Sequence, residues 1–372
     1  MAARCAALRV ALLVACGACG ASLACVPAPG PSAAEAPAPA PVVAPSAAAA
    51  PFTAERVWGE GAAMGTHIAF VAYTTPKVDA VGAHRAFDAA LAEIQRVEGL
   101  MTTWRDSELF RVNQSAATAP VAVGQETFDL VAESVRVGEL SSGTFDITFE
   151  GLHGLWKFDH DLDPHPPNEA AIRALLPVVD YRHLRLDARA RTVAFAKPGV
   201  KVSLGGIAKG YAVDRAVKVL DDAGLVSFFV QAGGDLFARG KKPDGSEWSA
   251  GVRDPRGPAP FALIPLTDHA FSTAGDYERA YIVDGRRYHH ILDPRTGRPA
   301  TACRSVTVWA KTALLADEMD DAVFILGPER GLELVEKLDG VGAVIVDAHN
   351  HLWISQRLRG LVRLTAAPTD GT

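Results

Sequence analysis

This chain has almost no capacity for disulfides where it should fold: four of its five cysteines fall within residues 1–25, and only Cys303 follows. No cystine framework can hold the rest of the chain, so an exported location has to be argued from other features. Beyond Cys25 there is no C-x-x-C pair, no H-E-x-x-H and no G-x-S-x-G stretch. The sequence signals for zinc ribbons, metalloproteases and serine hydrolases are therefore missing. Basic runs interleaved with aromatics are missing too, and 37 Lys and Arg against 43 Asp and Glu leave a net charge of −6, which argues against a nucleic-acid partner. The apolar run Val10 to Ala15 is too short to cross a bilayer as a helix. Neither G-x-x-x-x-G-K-[ST] nor G-x-G-x-x-G occurs, so neither a P-loop nor a Rossmann fold is expected.

What is present begins with a leader. Arg4 and Arg9 precede the apolar run, and small residues lead into the cysteines, which is the layout of a secretory signal over 1–25. Leu13-Val14-Ala15-Cys16 resembles a lipobox, with Cys19 and Cys25 as further candidates for the lipidated residue, so a lipoprotein signal is expected; an ordinary cleaved signal is the alternative. Residues 26–51 are nearly all Ala and Pro and should form an extended tether that holds a domain away from a membrane. Residues 52–363 should form one catalytic unit that can have a bilobed outline, and 364–372 a flexible tail. With 49% of the chain hydrophobic there is ample material for a core.

Hydrophobic spacing predicts a strand over Thr66–Tyr73, an amphipathic helix over Val78–Met101 and a second helix over Phe128–Leu140. A hairpin of His183–Leu186 with Thr192–Ala196 is expected next, then a strand over Val200–Ser203 that runs into a glycine turn and a helix to about Ala223. Short strands should follow at Val226–Gln231, Trp248–Val252, Phe261–Leu266, Tyr277–Val283, Arg287–Leu292 and Arg304–Trp309. Thr312–Leu326 reads as a helix, and the chain closes on a hairpin with Ala348-His349-Asn350 at its tip. His349 and His351 are read as part of that polar turn rather than as a metal pair.

The densest chemical signal is V-S-L-G-G-I-A-K-G-Y-A-V-D, Val202 to Asp214. Gly205, Gly206 and Gly210 let the backbone approach a ligand, a helix start favours an anion, and Lys209 can place an ammonium on a phosphate. Asp317 and Asp321 lie four apart, so a helix projects both carboxylates from one face, with Asp320 read as lying off it; a solvated acidic face and a divalent-ion site both fit. In R-Y-H-H-I-L-D-P-R-T-G, strand alternation puts His289 and His290 on opposite faces, and a neutral histidine there can take a proton from a hydroxyl. Ser272 to Tyr277 and Gly233-Gly234-Asp235 read as polar turns. Asp146 can pair with a ligand or cap a turn, and Trp104 can stack on a planar ring or join the core.

Taken in order, M-G-T, T-T-W-R-D-S-E-L, G-T-F-D-I-T, L-W-K-F, L-G-G-I-A-K-G-Y-A-V-D, A-G-G-D, S-T-A-G-D-Y-E-R, R-Y-H-H-I-L-D-P-R-T-G and A-D-E-M-D-D-A-V-F-I-L-G resemble the ApbE family of FAD:protein FMN transferases over nearly the full length. The resemblance implies an α+β, T-fold-like architecture. It also implies a magnesium-dependent transfer of FMN from FAD to a threonine or serine hydroxyl of a partner protein, with release of AMP. By position it puts Met64, Trp104, Thr144, Phe145, Asp146, Ser203, Lys209 and Ile291 at FAD. It gives the Gly206 carbonyl, Asp317 and Asp321 to Mg²⁺, and makes His290 the group that deprotonates or orients the acceptor. Acceptors in the family include exported subunits of membrane redox complexes, which fits a lipid-anchored protein on the outer side of the cytoplasmic membrane of a bacterium. Two positions depart from the family pattern: Ser203 stands where Asp is usual, and Asp321 where Thr is usual. Hydrolysis of FAD to FMN and AMP, and flavin binding without catalysis, are the alternatives.

Overall fold

Alternating apolar residues and a two-residue turn start the architecture, in a computed structural model that describes residues 52–158 and 161–371. The signal and the Ala/Pro tether lie outside the described residues. Strands β1 (Arg56–Ala63) and β2 (Thr66–Tyr73) are joined through Met64 and Gly65, both with positive φ, of 51° and 70°. That is the geometry of a tight hairpin turn, and it puts Met64 at the tip. Helix α1 (Ala80–Met101) starts where Asp79 accepts a hydrogen bond from Gly82 N, and it buries Phe87, Ile94 and Val97. Next come α2 (Glu108–Ser115), β3 (Val121–Ala122), α3 (Gln125–Leu140), α4 (Glu169–Leu175) and the hairpin β4 (Leu184–Asp187) with β5 (Thr192–Phe195).

The second half opens on α5 (Ala208–Asp222), followed by β6 (Phe228–Ala232) and β7 (Asp235–Arg239). Strands β8 (Trp248–Arg253), β9 (Pro260–Leu266), β10 (His269–Gly275), β11 (Ala280–Val283), β12 (Arg286–His289), β13 (Leu292–Asp293), β14 (Arg298–Pro299) and β15 (Cys303–Ala310) precede α6 (Ala313–Leu326) and α7 (Pro328–Glu336). The chain ends with β16 (Gly342–Asp347), β17 (Leu352–Ile354) and β18 (Arg363–Leu364).

One antiparallel sheet, in the order β1-β2-β6-β7-β10-β15-β16-β17, forms the middle layer. Helices α1, α5 and α6 cover one face over a core that includes Phe70, Phe228, Ile94, Leu220 and Phe324. The small sheet β18-β9-β8 covers the other face around Phe261, Ile264, Leu266, Phe271 and Val344. Because both faces are covered, the inner strand β16 is buried at every position and reads as a continuous apolar run rather than an alternation. The architecture is α+β.

Three expectations change. Val200–Ser203 is extended but joins no sheet: the Asn113 side chain takes the partner's place, donating to Val202 O at 2.8 Å and accepting from Val202 N at 2.7 Å. Ser272–Gly275 is not a turn but the end of β10, paired with β15. Residues 364–371, expected as a loose tail, are tied down: Thr365 N and Ala366 N donate to Phe261 O, and Thr369 N donates to Asp254 Oδ2 at 2.9 Å.

Candidate active site

Helices α5 and α6 build the site by capping one another. The first amides of a helix have no partner within it. Asp214 on α5 accepts from Ala313 N and Leu314 N of α6 at 2.8 and 2.9 Å, and Asp317 on α6 accepts from Gly210 N of α5 at 2.8 Å. Gly210 makes the close approach possible, since a Cβ there would stand 2.3 Å from Ala313 O.

Lys209 stands between carboxylates. Its Nζ is 2.6 Å from Asp235 Oδ2, at the start of β7, and 3.1 Å from Asp317 Oδ1. Burial works against the Lys209 charge, but the Asp235 and Asp317 carboxylates outweigh it and hold the ammonium charged well above the usual lysine range. Ser272 Oγ lies 2.6 Å from Asp235 Oδ1 and 2.6 Å from Asp320 Oδ2. A hydroxyl has one proton to donate, so one of these carboxyls must carry another. Burial, reinforced by Asp321 and Asp317, raises Asp320 well above the ordinary carboxylate range. Asp320 is therefore not off the face of Asp317 and Asp321: three-residue spacing keeps it on the same side, and it is buried in the site. Asp235 and Ser272 were missed as site residues because each was read as turn, and Asp320 because it was read as off that face.

Burial raises Asp317 and Asp321 as well, with Asp235 adding to both. A Cβ at Gly206 would stand 3.2 Å from Asp321 Oδ2 and 3.3 Å from a Phe145 ring carbon, so these three positions adjoin. Four aspartates thus share one lysine. Among the described residues no three His, Cys, Asp or Glu side chains already converge as a metal-ligand set. Even so, excess buried carboxylate beside a glycine carbonyl has the donor chemistry that a hard divalent ion requires.

The other expected residues separate by role. Thr144 is buried, its hydroxyl 3.2 Å from both Ser141 O and Ala322 O, which ties the 141–148 loop to α6. Asp146 accepts from Thr148 N, Thr148 Oγ1 and Tyr181 N at 2.8, 2.6 and 2.7 Å; its carboxylate is spent on capping the loop. Ser203 N donates to Ile147 O at 2.9 Å, and Ser203 Oγ accepts from Gly205 N at 3.3 Å, so this side chain stiffens the glycine turn. Trp104 is 73% exposed and free to stack, whereas Phe145 and Ile291 are buried. His290 Nδ1 lies 3.2 Å from Glu278 O, and burial, aided by the neighbouring Arg279, pushes its ring below the usual histidine range, so the imidazole is neutral at pH 7. His289 points the other way, its Nε2 2.8 Å from Ala300 O.

A profile described as the ApbE family matches residues 64–345. The chain is 33% identical over 285 residues to an FAD:protein FMN transferase of Klebsiella pneumoniae, covering 75% of this chain and 81% of the relative. It is 30% identical over 313 residues to the enzyme of the same name from Escherichia coli K12, covering 82% and 88%. The crystal structure of an ApbE protein from Thermotoga maritima superposes with a TM-score of 0.76 at 32% identity, over 83% of this chain and 100% of that one. The flavin transferase ApbE from Vibrio cholerae gives 0.73 at 30% identity, over 83% and 100%.

Proposed function

The chain belongs to the ApbE family, and from that premise we propose that it transfers the FMN half of FAD to a threonine or serine hydroxyl of an acceptor protein and releases AMP. In that reaction the acceptor oxygen bonds to the phosphorus of the FMN phosphate, and the bond from that phosphorus to the AMP oxygen breaks. The hydroxyl proton passes to His290, whose neutral ring is able to accept it. Lys209 neutralises pyrophosphate charge, and the turn at Gly205 and Gly206 allows close approach of the phosphates. Trp104, largely exposed, is available to stack on a planar ring.

The observation that carries this reading is buried Asp317 with half-buried Asp321 and Lys209 beside Gly206. It supports a Mg²⁺ held by Asp317, Asp321 and the Gly206 carbonyl. Bound there, the ion would neutralise charge on the transferring phosphate and the departing AMP. Asp321 in place of threonine adds a carboxylate to such a site and favours tighter divalent binding. The leader supports an exported, lipid-anchored enzyme acting on exported acceptors, such as subunits of membrane redox complexes. Absence of fatty-acid label on the wild-type protein would overturn the anchor, and label that persists when Cys16, Cys19 and Cys25 are all replaced by Ala would overturn its assignment to these cysteines.

The deciding experiment incubates the protein with FAD, Mg²⁺ and a substrate bearing a D-x-x-[ST]-x-[AT]-T segment, then weighs the acceptor. An added FMN mass that is lost in Asp317→Ala supports the transferase. Free FMN and AMP with an unmodified acceptor point to FAD hydrolysis, and flavin binding without either product points to a binding role.

A further inference from the structure

Behind the β11–β12 hairpin, on the face opposite His290, lies a second pocket of about 280 Å³. Arg256, Arg287 and Arg304 line it with Asp276; Arg286 also borders it, but its guanidinium lies over the Tyr288 ring on the other face. Among the described residues Asp276 pairs with Arg256 and Asp370 with Arg304, which leaves the Arg287 charge unbalanced. Arg256 spends Nη1 and Nη2 on Asp276, at 2.7 Å each, but its side chain is only 10% exposed and its buried Nε has no hydrogen-bond partner among the described residues. A buried, unpaired donor on a charged group is costly, so an acceptor is expected there.

Arg287 is the second unsatisfied group. Its side chain is 22% exposed, and its one ion-pair contact among the described residues is Asp276 Oδ2 at 3.9 Å, too long for a hydrogen bond and on a carboxylate that Arg256 already holds. Burial, with Arg256 and Arg304 nearby, works against its charge. Arg304 closes the far wall, bonded to Ala348 O, Asn350 Oδ1 and Asp370 Oδ1 at 3.3, 3.1 and 3.2 Å. The positions of Arg287 and His289 follow from strand alternation, which sends Tyr288 and His290 to the other side. A space below the usual size of a drug-like site, with several guanidinium forks, suits a small oxyanion.

We propose that this pocket is a phosphate-binding site, in which Arg287 and the Nε of Arg256 supply the donors. It is separate from the flavin site, and the Arg287 charge, which no carboxylate among the described residues holds at hydrogen-bond distance, favours an anion there. The phosphate is either a free ion or the end group of a small phosphomonoester.

The test titrates the full chain calorimetrically with inorganic phosphate and, separately, with glycerol 3-phosphate, against sodium chloride at equal ionic strength. Saturable phosphate binding that chloride does not reproduce is expected, weakened about tenfold or more in Arg287→Gln and only partly in Arg287→Lys. Tighter binding of the free ion, or of the ester, identifies the source. Because Arg287 holds no hydrogen bond among the described residues, both variants should melt with the unliganded protein. Absence of saturable binding, or binding unchanged in Arg287→Gln, overturns the proposal; dependence on Arg287 also separates this site from any phosphate held at Lys209.

Discussion

Asp214 and Asp317 are exchanged between neighbouring helices, each capping the start of the helix to which the other belongs. The exchange fixes the site as well as the packing. Asp317 cannot shift without releasing Gly210 N, and Lys209, one residue earlier, moves with that turn. The carboxylate offered to a metal and the lysine offered to a phosphate are thereby held on one rigid pair of helices.

Removing the cap from the other end tests this coupling. Asp214→Ala should destabilise the protein by about 0.5–2 kcal/mol, the usual cost of a lost N-cap, as read by urea unfolding. If α6 is what holds Asp317 in place, the variant's divalent-ion affinity should fall as well. Stability loss with unchanged metal affinity would show that the placing of Asp317 is independent of the cap at the start of α6.

Gly210 makes a sharper prediction. A Cβ there meets the backbone at Ala313 O and Ala313 C, 2.3 and 2.7 Å away, so no rotamer change can relieve the clash. Gly210→Ala should cost about 1–3 kcal/mol or more despite alanine's better helix propensity, and should separate Asp317 from the α5 amides. A melting temperature at or above that of the wild type would contradict the close approach.

What could be read in the sequence was local pattern, and what could not was long-range pairing. The glycine turn into the lysine-bearing helix, the four-residue spacing of Asp317 and Asp321, and the opposite faces of His289 and His290 all follow from local pattern. Asp320 was within reach too, since residues three apart share a helix face, but the four-residue spacing of Asp317 and Asp321 placed it off theirs. Asp235 and Ser272 carried no such signal. They become site residues only because β7 and β10 lie side by side in the sheet, a pairing that local pattern does not encode. The failed strand at Val200–Ser203 has the same origin: its partner is a side chain, Asn113, from a distant helix.

Glu318 is a buried carboxyl outside the exchange. It sits on α6 with Oε2 lacking a partner among the described residues, and its contact with Arg136 is 3.4 Å. Burial, with Glu133 adding repulsion, pushes it up to about 8. At pH 7.5 the wild type must keep this group protonated or bury its charge, whereas an amide has no charge to bury. Glu318→Gln should therefore raise stability at pH 7.5 by roughly 1–3 kcal/mol, the scale of relieving an unsatisfied buried group. A decrease would mean that the Arg136 contact outweighs desolvation.

The acid limb of stability tests His289. With Nε2 2.8 Å from Ala300 O and Nδ1 accepting from Ile291 N at 3.3 Å, both ring nitrogens are used and the ring is neutral. Burial lowers its pKa from the ordinary 6.5. Above pH 6.5 neither folded nor unfolded chain protonates this ring; below it the unfolded chain takes up a proton that the folded one refuses, so stability falls as pH drops. Asp214, Asp317 and Asp321 act in the opposite sense, because their raised pKa values let the folded state bind protons first. The overall pH profile is therefore a difference of opposing contributions, and only a paired comparison isolates the histidine. Urea unfolding of wild type and His289→Gln between pH 7 and pH 5 should diverge below about 6.5, with the wild type losing up to about 1.4 kcal/mol per pH unit relative to the variant. Parallel profiles would show that His289 is protonated in the folded state, which the contact with Ile291 N does not allow.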